Sequence, residues 1–173
     1  MLKKHLFVPG KREYIHQRKL LPGCILCGIL KYSPDVVNLT IYKSKLFSIS
    51  LNLYPYNPGH LMIFPNRHIV DPRELTANEV KELHRLQNLA LTILEEIYQP
   101  RGFTIGYNVR EASGASIKHL HMHIVPRYYN ELGFLDIIGG SKIIVEDPNE
   151  TKLKLQAAFA QQKDKSRSII KLH

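Results

Sequence analysis

Residues 119–125 read HLHMHIV, with His119, His121 and His123 at every second position and apolar side chains between them. In an extended strand successive side chains point to opposite faces, so the three imidazoles share one face while Leu120, Met122 and Ile124 take the other. The apolar face enters a core, and the histidine face is left as an exposed row. A solvated face or a fortuitous metal clip would both fit such a row, but three alternating copies of an uncommon residue favour chemistry. An imidazole is a good nucleophile near neutral pH when a hydrogen bond holds its second nitrogen, and phosphorus is its natural target. His121 is then the attacking group. His123, one step along the same face, contacts phosphate oxygens and stabilises developing charge.

Upstream, the chain from Val36 to Phe64 is rich in β-branched and aromatic residues, interrupted by KSK and by YPYNPGH. This predicts consecutive antiparallel strands, a meander. The period then changes. In DPRELTANEVKELHRLQNLALTILEEIY, Thr76 and Glu79 form a capping box, and Val80, Leu83, Leu86, Ala90, Ile93 and Ile97 share one helical face. Pro100 and Gly102 end this helix, and strands follow at FTIGYNV and HLHMHIVP, joined by REASGAS, whose glycine allows backbone to approach a ligand. A second helix is expected from Thr151 to Ala160, with fraying from Lys163. The order is α+β: an antiparallel meander with one long helix and a C-terminal helix.

At 173 residues the chain is sized for one domain. We divide it into a basic N-terminal arm (1–22), a domain (23–160) and a basic, flexible tail (161–173). No stretch reaches the ~20 apolar residues of a membrane span, and the first residues lack the apolar run of a secretory signal, so a soluble cytoplasmic protein is expected. The net charge of +9 favours polyanionic partners, nucleic acid or nucleotide phosphates. Much of that excess sits in the arms, and no aromatic-interleaved basic surface suits single strands, which disfavours nucleic acid. Cys24 and Cys27, in GCILCG, are the only cysteines. They give no disulfide framework, and a metal or redox role stays open.

HLHMHIV matches the H-x-H-x-H-x-x signature of the histidine triad (HIT) family of nucleotide hydrolases and transferases. The blocks LFVPGKREYI, GCILCG, NLYPYNPGHLMIFPNRHI, GYNVREASGASIKHLHMHIVPR and GFLDIIGGSKIIVEDPNET resemble, in order, that family's bacterial diadenosine-tetraphosphate phosphorylase-like branch. The resemblance spans Leu6 to about Phe159. It implies that His121 takes the α-phosphoryl of an adenosine nucleotide, such as a dinucleoside polyphosphate, as a covalent nucleotidyl-histidine and passes it to water or phosphate. His119 would orient the nucleophile through its carbonyl. His60 and His123 match the remaining site histidines. Ser116 would serve the leaving group, Asn108 the phosphate and Asn52 the ribose. A homodimer is implied as well. Two departures stand out: Phe7 and Gly10 replace tryptophans of the opening block, and Met122 replaces a glutamine common among mycobacterial-type phosphorylases. The third histidine argues against the galactose-1-phosphate uridylyltransferase branch. The alternatives to polyphosphate chemistry are a nucleoside phosphoramidase and a non-catalytic nucleotide- or RNA-binding module.

Among relatives carrying the Cys-x-x-Cys pair, two histidines complete a structural zinc site; here they are His68 and His119. The implied ligand set is Cys24, Cys27, His68 and His119, four N and S donors as tetrahedral zinc requires. His84, His5, His16 and His173 read as surface residues.

Overall fold

In the computed structural model of the protein the described residues are 23–129 and 146–170, with side chains as far as Gln162. The arm over 1–22, the histidines at 5, 16 and 173, and most of the GFLDIIGGSKIIVEDPNET block lie outside them.

Five strands form one antiparallel sheet in the order β1-β2-β3-β5-β4: β1 (Thr40–Lys43), β2 (Phe47–Leu51), β3 (Leu61–Pro65), β4 (Gly102–Tyr107) and β5 (Met122–Arg127). The first three are the expected meander. The β1–β2 turn is held by the Ser44 hydroxyl, which accepts from the Leu46 and Phe47 N–H groups. Strand β5 then inserts between β3 and β4, pairing His123 with Met62 on one side and Gly106 on the other.

The long helix α2 (Ala77–Tyr98) begins at the capping box expected of it: the Thr76 hydroxyl accepts from Glu79 N–H at 3.3 Å, and the Glu79 carboxylate accepts from Thr76 N–H at 2.8 Å. Val80 departs from the apolar-face reading, being 52% exposed while Glu79 is buried. Glu79 folds back over the first turn and receives Arg67 through two bonds of 2.6 and 2.8 Å, which satisfy its charge. The helix stops where Gln99 turns left-handed ahead of Pro100, and Gly102 opens β4 instead of serving the stop. The C-terminal helix α3 (Pro148–Ile170) starts earlier than Thr151, because the Asp147 carboxylate accepts from the Asn149 and Glu150 N–H groups. Its backbone stays helical ten residues past Ala160.

Helices α2 and α3 cover one sheet face, burying Leu83, Leu86, Ile93, Leu155 and Phe159 against Leu61, Ile63, Met122 and Ile124. The opposite face carries a smaller cluster, Leu26, Ile29, Met62 and Phe64, beneath a six-residue helix α1 (Ile25–Leu30). That helix is too short to persist alone. Burial of Leu26 and Ile29, worth roughly 1.5–3 kcal/mol each before entropic costs, holds it down. Covering this second face overturns one expectation: the histidine row is not exposed, since His119 and His121 are 2% and 4% accessible. The strand also starts three residues later than the HLHMHIVP reading placed it. Residues 119–121 run in as irregular chain, tied by Leu120 N–H to the Ile69 carbonyl at 2.7 Å.

Candidate active site and metal centre

The geometry splits the histidine row in two. His121 and His123 face each other edge to face, with ring centroids 4.8 Å apart, whereas the His119 ring turns to His68, 5.0 Å away. A carbonyl only accepts, so the 2.7 Å contact of His121 Nδ1 with the His119 carbonyl oxygen puts the proton on Nδ1. Nε2 keeps its lone pair and has no hydrogen-bond partner among the described residues. Burial lowers the His121 pKa, the carbonyl partly opposing it, so the ring is neutral at pH 7.

His60 fixes the state of His123. The Tyr56 backbone N–H donates to His60 Nδ1 at 3.1 Å, so the His60 proton sits on Nε2 and points to His123 Nδ1 at 2.9 Å. Burial, followed by the charges of His123 and His121, pushes His60 down to about 3. Burial and then His121 push His123 down to about 4. Both rings are therefore neutral, and a neutral His123 that accepts at Nδ1 presents an N–H at Nε2. The arrangement offers one nucleophilic lone pair beside one fixed donor, which is what attack on a phosphoryl group needs.

Asn52 joins this cluster. Its Oδ1 accepts from Tyr54 N–H at 2.9 Å, leaving Nδ2 3.5 Å from His60 Nε2. In the tautomer assigned above both of these atoms are donors, so the amide hydrogens of Asn52 remain for another acceptor. Asn108 and Ser116 lie apart, on the loop between β4 and β5. Ser116 is exposed and its hydroxyl bonds no described residue, while Asn108 lines a cavity of about 860 Å³ together with His119. One contact was not foreseen. The Tyr56 ring stacks on His60 at 5.1 Å, yet YPYNPGH reads simply as a turn, because loop folding alone makes that contact. His84 is a surface residue as read, beside Asn88 on α2.

Cys24 at the N-cap of α1, Cys27 within it, His68 after β3 and His119 before β5 place four donor atoms within 4.8 Å of one another. The sulfur-to-nitrogen separations are 3.4 Å for Cys24–His119, 3.4 Å for Cys27–His68 and 3.6 Å for Cys27–His119. A tetrahedral zinc with bonds of ~2.3 Å to sulfur and ~2.05 Å to nitrogen sets such edges at about 3.5 Å, so the donors fit. The His119 Nε2–H donates to the Pro65 carbonyl at 2.9 Å, which turns the Nδ1 lone pair inward to the cluster. Burial and the neighbouring Cys24 thiol push Cys27 up to about 11, a penalty on thiolate that a divalent cation would reverse.

Comparison with known proteins bears on the family and the fold. The chain is 39% identical over 129 residues to the AP-4-A phosphorylase of Mycobacterium tuberculosis, an alignment covering 74% of this chain and 66% of that one, just under two thirds of the relative's length. It is 31% identical over 113 residues to protein hit of Bacillus subtilis, covering 65% and 76%. In three dimensions it resembles a Zn-bound histidine triad family protein from Mycobacterium smegmatis, at TM-score 0.67 and 25% identity over 82% of this chain and 96% of that one. The HIT domain family matches residues 34–130, which include every strand and His60, Asn108, Ser116 and the three histidines from which the reading began; the chain belongs to that family.

Proposed function

We propose that this chain is a nucleotidyl-transfer enzyme acting on the α-phosphate of adenosine nucleotides, dinucleoside polyphosphates foremost, through a covalent nucleotidyl-His121. The observation that carries the reading is the His121 ring itself: Nδ1–H is held by the His119 carbonyl, and the Nε2 lone pair has no partner among the described residues. In the first step Nε2 bonds to phosphorus, and the P–O bond to the departing nucleotide breaks with its electron pair going to oxygen. The ring becomes cationic, and the His119 carbonyl at Nδ1–H stabilises that charge. His123 Nε2–H donates to a non-bridging oxygen, and the Ser116 hydroxyl serves the leaving oxygen. Asn52 takes the ribose hydroxyls and Asn108 the phosphate. In the second step water or inorganic phosphate attacks phosphorus and loses its proton to solvent, the P–N bond breaks, and its electron pair returns to Nε2.

The same reading assigns zinc to Cys24, Cys27, His68 and His119, where the ion would cross-link α1 to the segment carrying the nucleophile. A cytoplasmic location keeps both cysteines reduced for that purpose. We further assign a homodimer: β4 is one of the two outer strands of the sheet, with Ile105 38% exposed on it, and a second copy would cover that edge.

Mass spectrometry of protein mixed with diadenosine tetraphosphate and quenched rapidly tests the mechanism. An adenylyl adduct on His121 is expected, and an adduct on another side chain would sink it. Replacing His121 with Asn should lower turnover by about 10³-fold or more. ADP formed from the adenylyl half only when phosphate is present marks phosphorolysis. Faster turnover of an adenosine phosphoramidate would instead make the chain a phosphoramidase.

A further inference from the structure

The 860 Å³ cavity lies between the segment Val70–Glu74 and the β4–β5 loop, and its walls hold neither His121 nor His123. It still borders the reaction. Ala115, Ile117 and His119 line it, Ser116 sits among them, and the His119 carbonyl is the group that holds His121. We infer that this cavity receives the leaving half of the substrate, a second nucleoside with its distal phosphates, held by Arg110 at the rim and by Val70 and Ile117 on the walls. The inference rests on the nucleotidyl-transfer reading above, in which a dinucleoside substrate needs a place for its second half.

Three features fit that ligand. At this volume the cavity belongs to the roughly 300–1,000 Å³ range of small-molecule sites, far larger than a lone phosphate needs. Its charges nearly cancel: Arg73 is bound bidentately to Asp71 at 2.6 and 2.8 Å, and Lys118 pairs with Glu111 at 3.1 Å. A bare polyanion gains little from such a site. A ligand with an anionic end and a neutral, flat, apolar end gains more, because Val70, Ala115 and Ile117 offer apolar surface to a base. Arg110 differs from the other two cations. Its guanidinium leans on Asp71 only at 3.9 Å, has no side-chain hydrogen bond among the described residues and is 77% exposed, so its donors are available to phosphate oxygens. Its backbone is left-handed, at φ 67°, a conformation that costs a non-glycine residue energy and is found where the surroundings impose it.

The test is the ratio of affinities for two probes, a methylene-bridged diadenosine tetraphosphate, which resists cleavage, and AMP, measured by calorimetry on the full chain. In the unaltered protein the dinucleotide should bind at least about tenfold tighter than AMP, and Arg110→Ala should cut that ratio by about tenfold, the value of a charge-assisted hydrogen bond. Val70→Asp, at a half-exposed position that tolerates substitution, should lower the ratio as well. If both probes bind and the ratio is near one, or if it survives both substitutions, the cavity is not the leaving-group site although the transfer reading stands. If neither probe binds, the transfer reading fails and this inference with it.

Discussion

His60 and His123, 63 residues apart in the chain, meet ring to ring, with Nε2 of the first 2.9 Å from Nδ1 of the second. The backbone N–H of Tyr56 decides the direction of that bond, since it occupies the only other nitrogen of His60. His60 therefore holds the ring and the tautomer of His123, and under the proposed mechanism it acts through His123 as a positioning residue. Replacing His60 with Ala should lower kcat by about 10–100-fold with a smaller change in KM, the cost of a loosened donor. A glutamine, which can still donate, should recover part of the loss. Steady-state kinetics of both variants decides; equal loss in both, or a change in KM alone, would contradict the role.

Acid should destabilise the fold through these same two rings. An unfolded imidazole titrates near 6.5, whereas folded His60 and His123 refuse protons until about pH 3 and 4. Between those values the unfolded chain binds more protons, so stability is fully present above pH 6.5 and falls as the pH is lowered through the window. Urea melts at pH 7, 5.5 and 4.5 should show a decreasing midpoint, and the decrease should be shallower in His60→Gln.

Metal analysis addresses the Cys24, Cys27, His68 and His119 cluster. Protein purified without chelator should carry about one zinc per chain, and Cys24→Ser should carry far less, with a melting temperature lower by several degrees because metal binding contributes to folding. Circular dichroism supplies a readout independent of turnover. Equal and negligible zinc in both proteins would remove the metal.

Gly59 supports the site from below. Its φ is +75°, and a Cβ there would lie 3.0 Å from the Tyr98 ring and 3.1 Å from Leu94, both on α2. Gly59→Ala combines left-handed strain with overpacking and should destabilise by about 2–3 kcal/mol. In a chain of this size that lowers Tm by about 5–10 °C. Because the next residue is His60, turnover should fall too. Thermal melts paired with kinetics would show both, and a variant as stable as the parent would refute the argument.

Much of this was legible from local pattern. Thr76 and Glu79 lie three apart, and a capping box needs nothing else, so the start of α2 followed directly. Alternation assigned Met122 and Ile124 to the core, and they are buried there. The same alternation misplaced the histidines, because whether a sheet face meets solvent depends on what packs over it. Here α1 and the β4–β5 loop close that face, and neither carries a periodic signal long enough to read. Val80 failed for a related reason: periodicity cannot know that Arg67, 12 residues upstream, draws Glu79 into the buried place.

The sequence by itself determined the strands, the two longer helices and the family resemblance, since alternation, helical period and capping are read from neighbouring residues and the resemblance from short blocks in order; α1 was not among them. Tertiary structure alone decided which partner stands against each ring nitrogen. Cys24 meets His119 across 95 residues and His60 meets His123 across 63, so one imidazole faces a thiol and another accepts from a neighbouring ring. The protonation state of a buried ring is set by the donor or acceptor placed against each nitrogen, and only the folded chain brings those partners together.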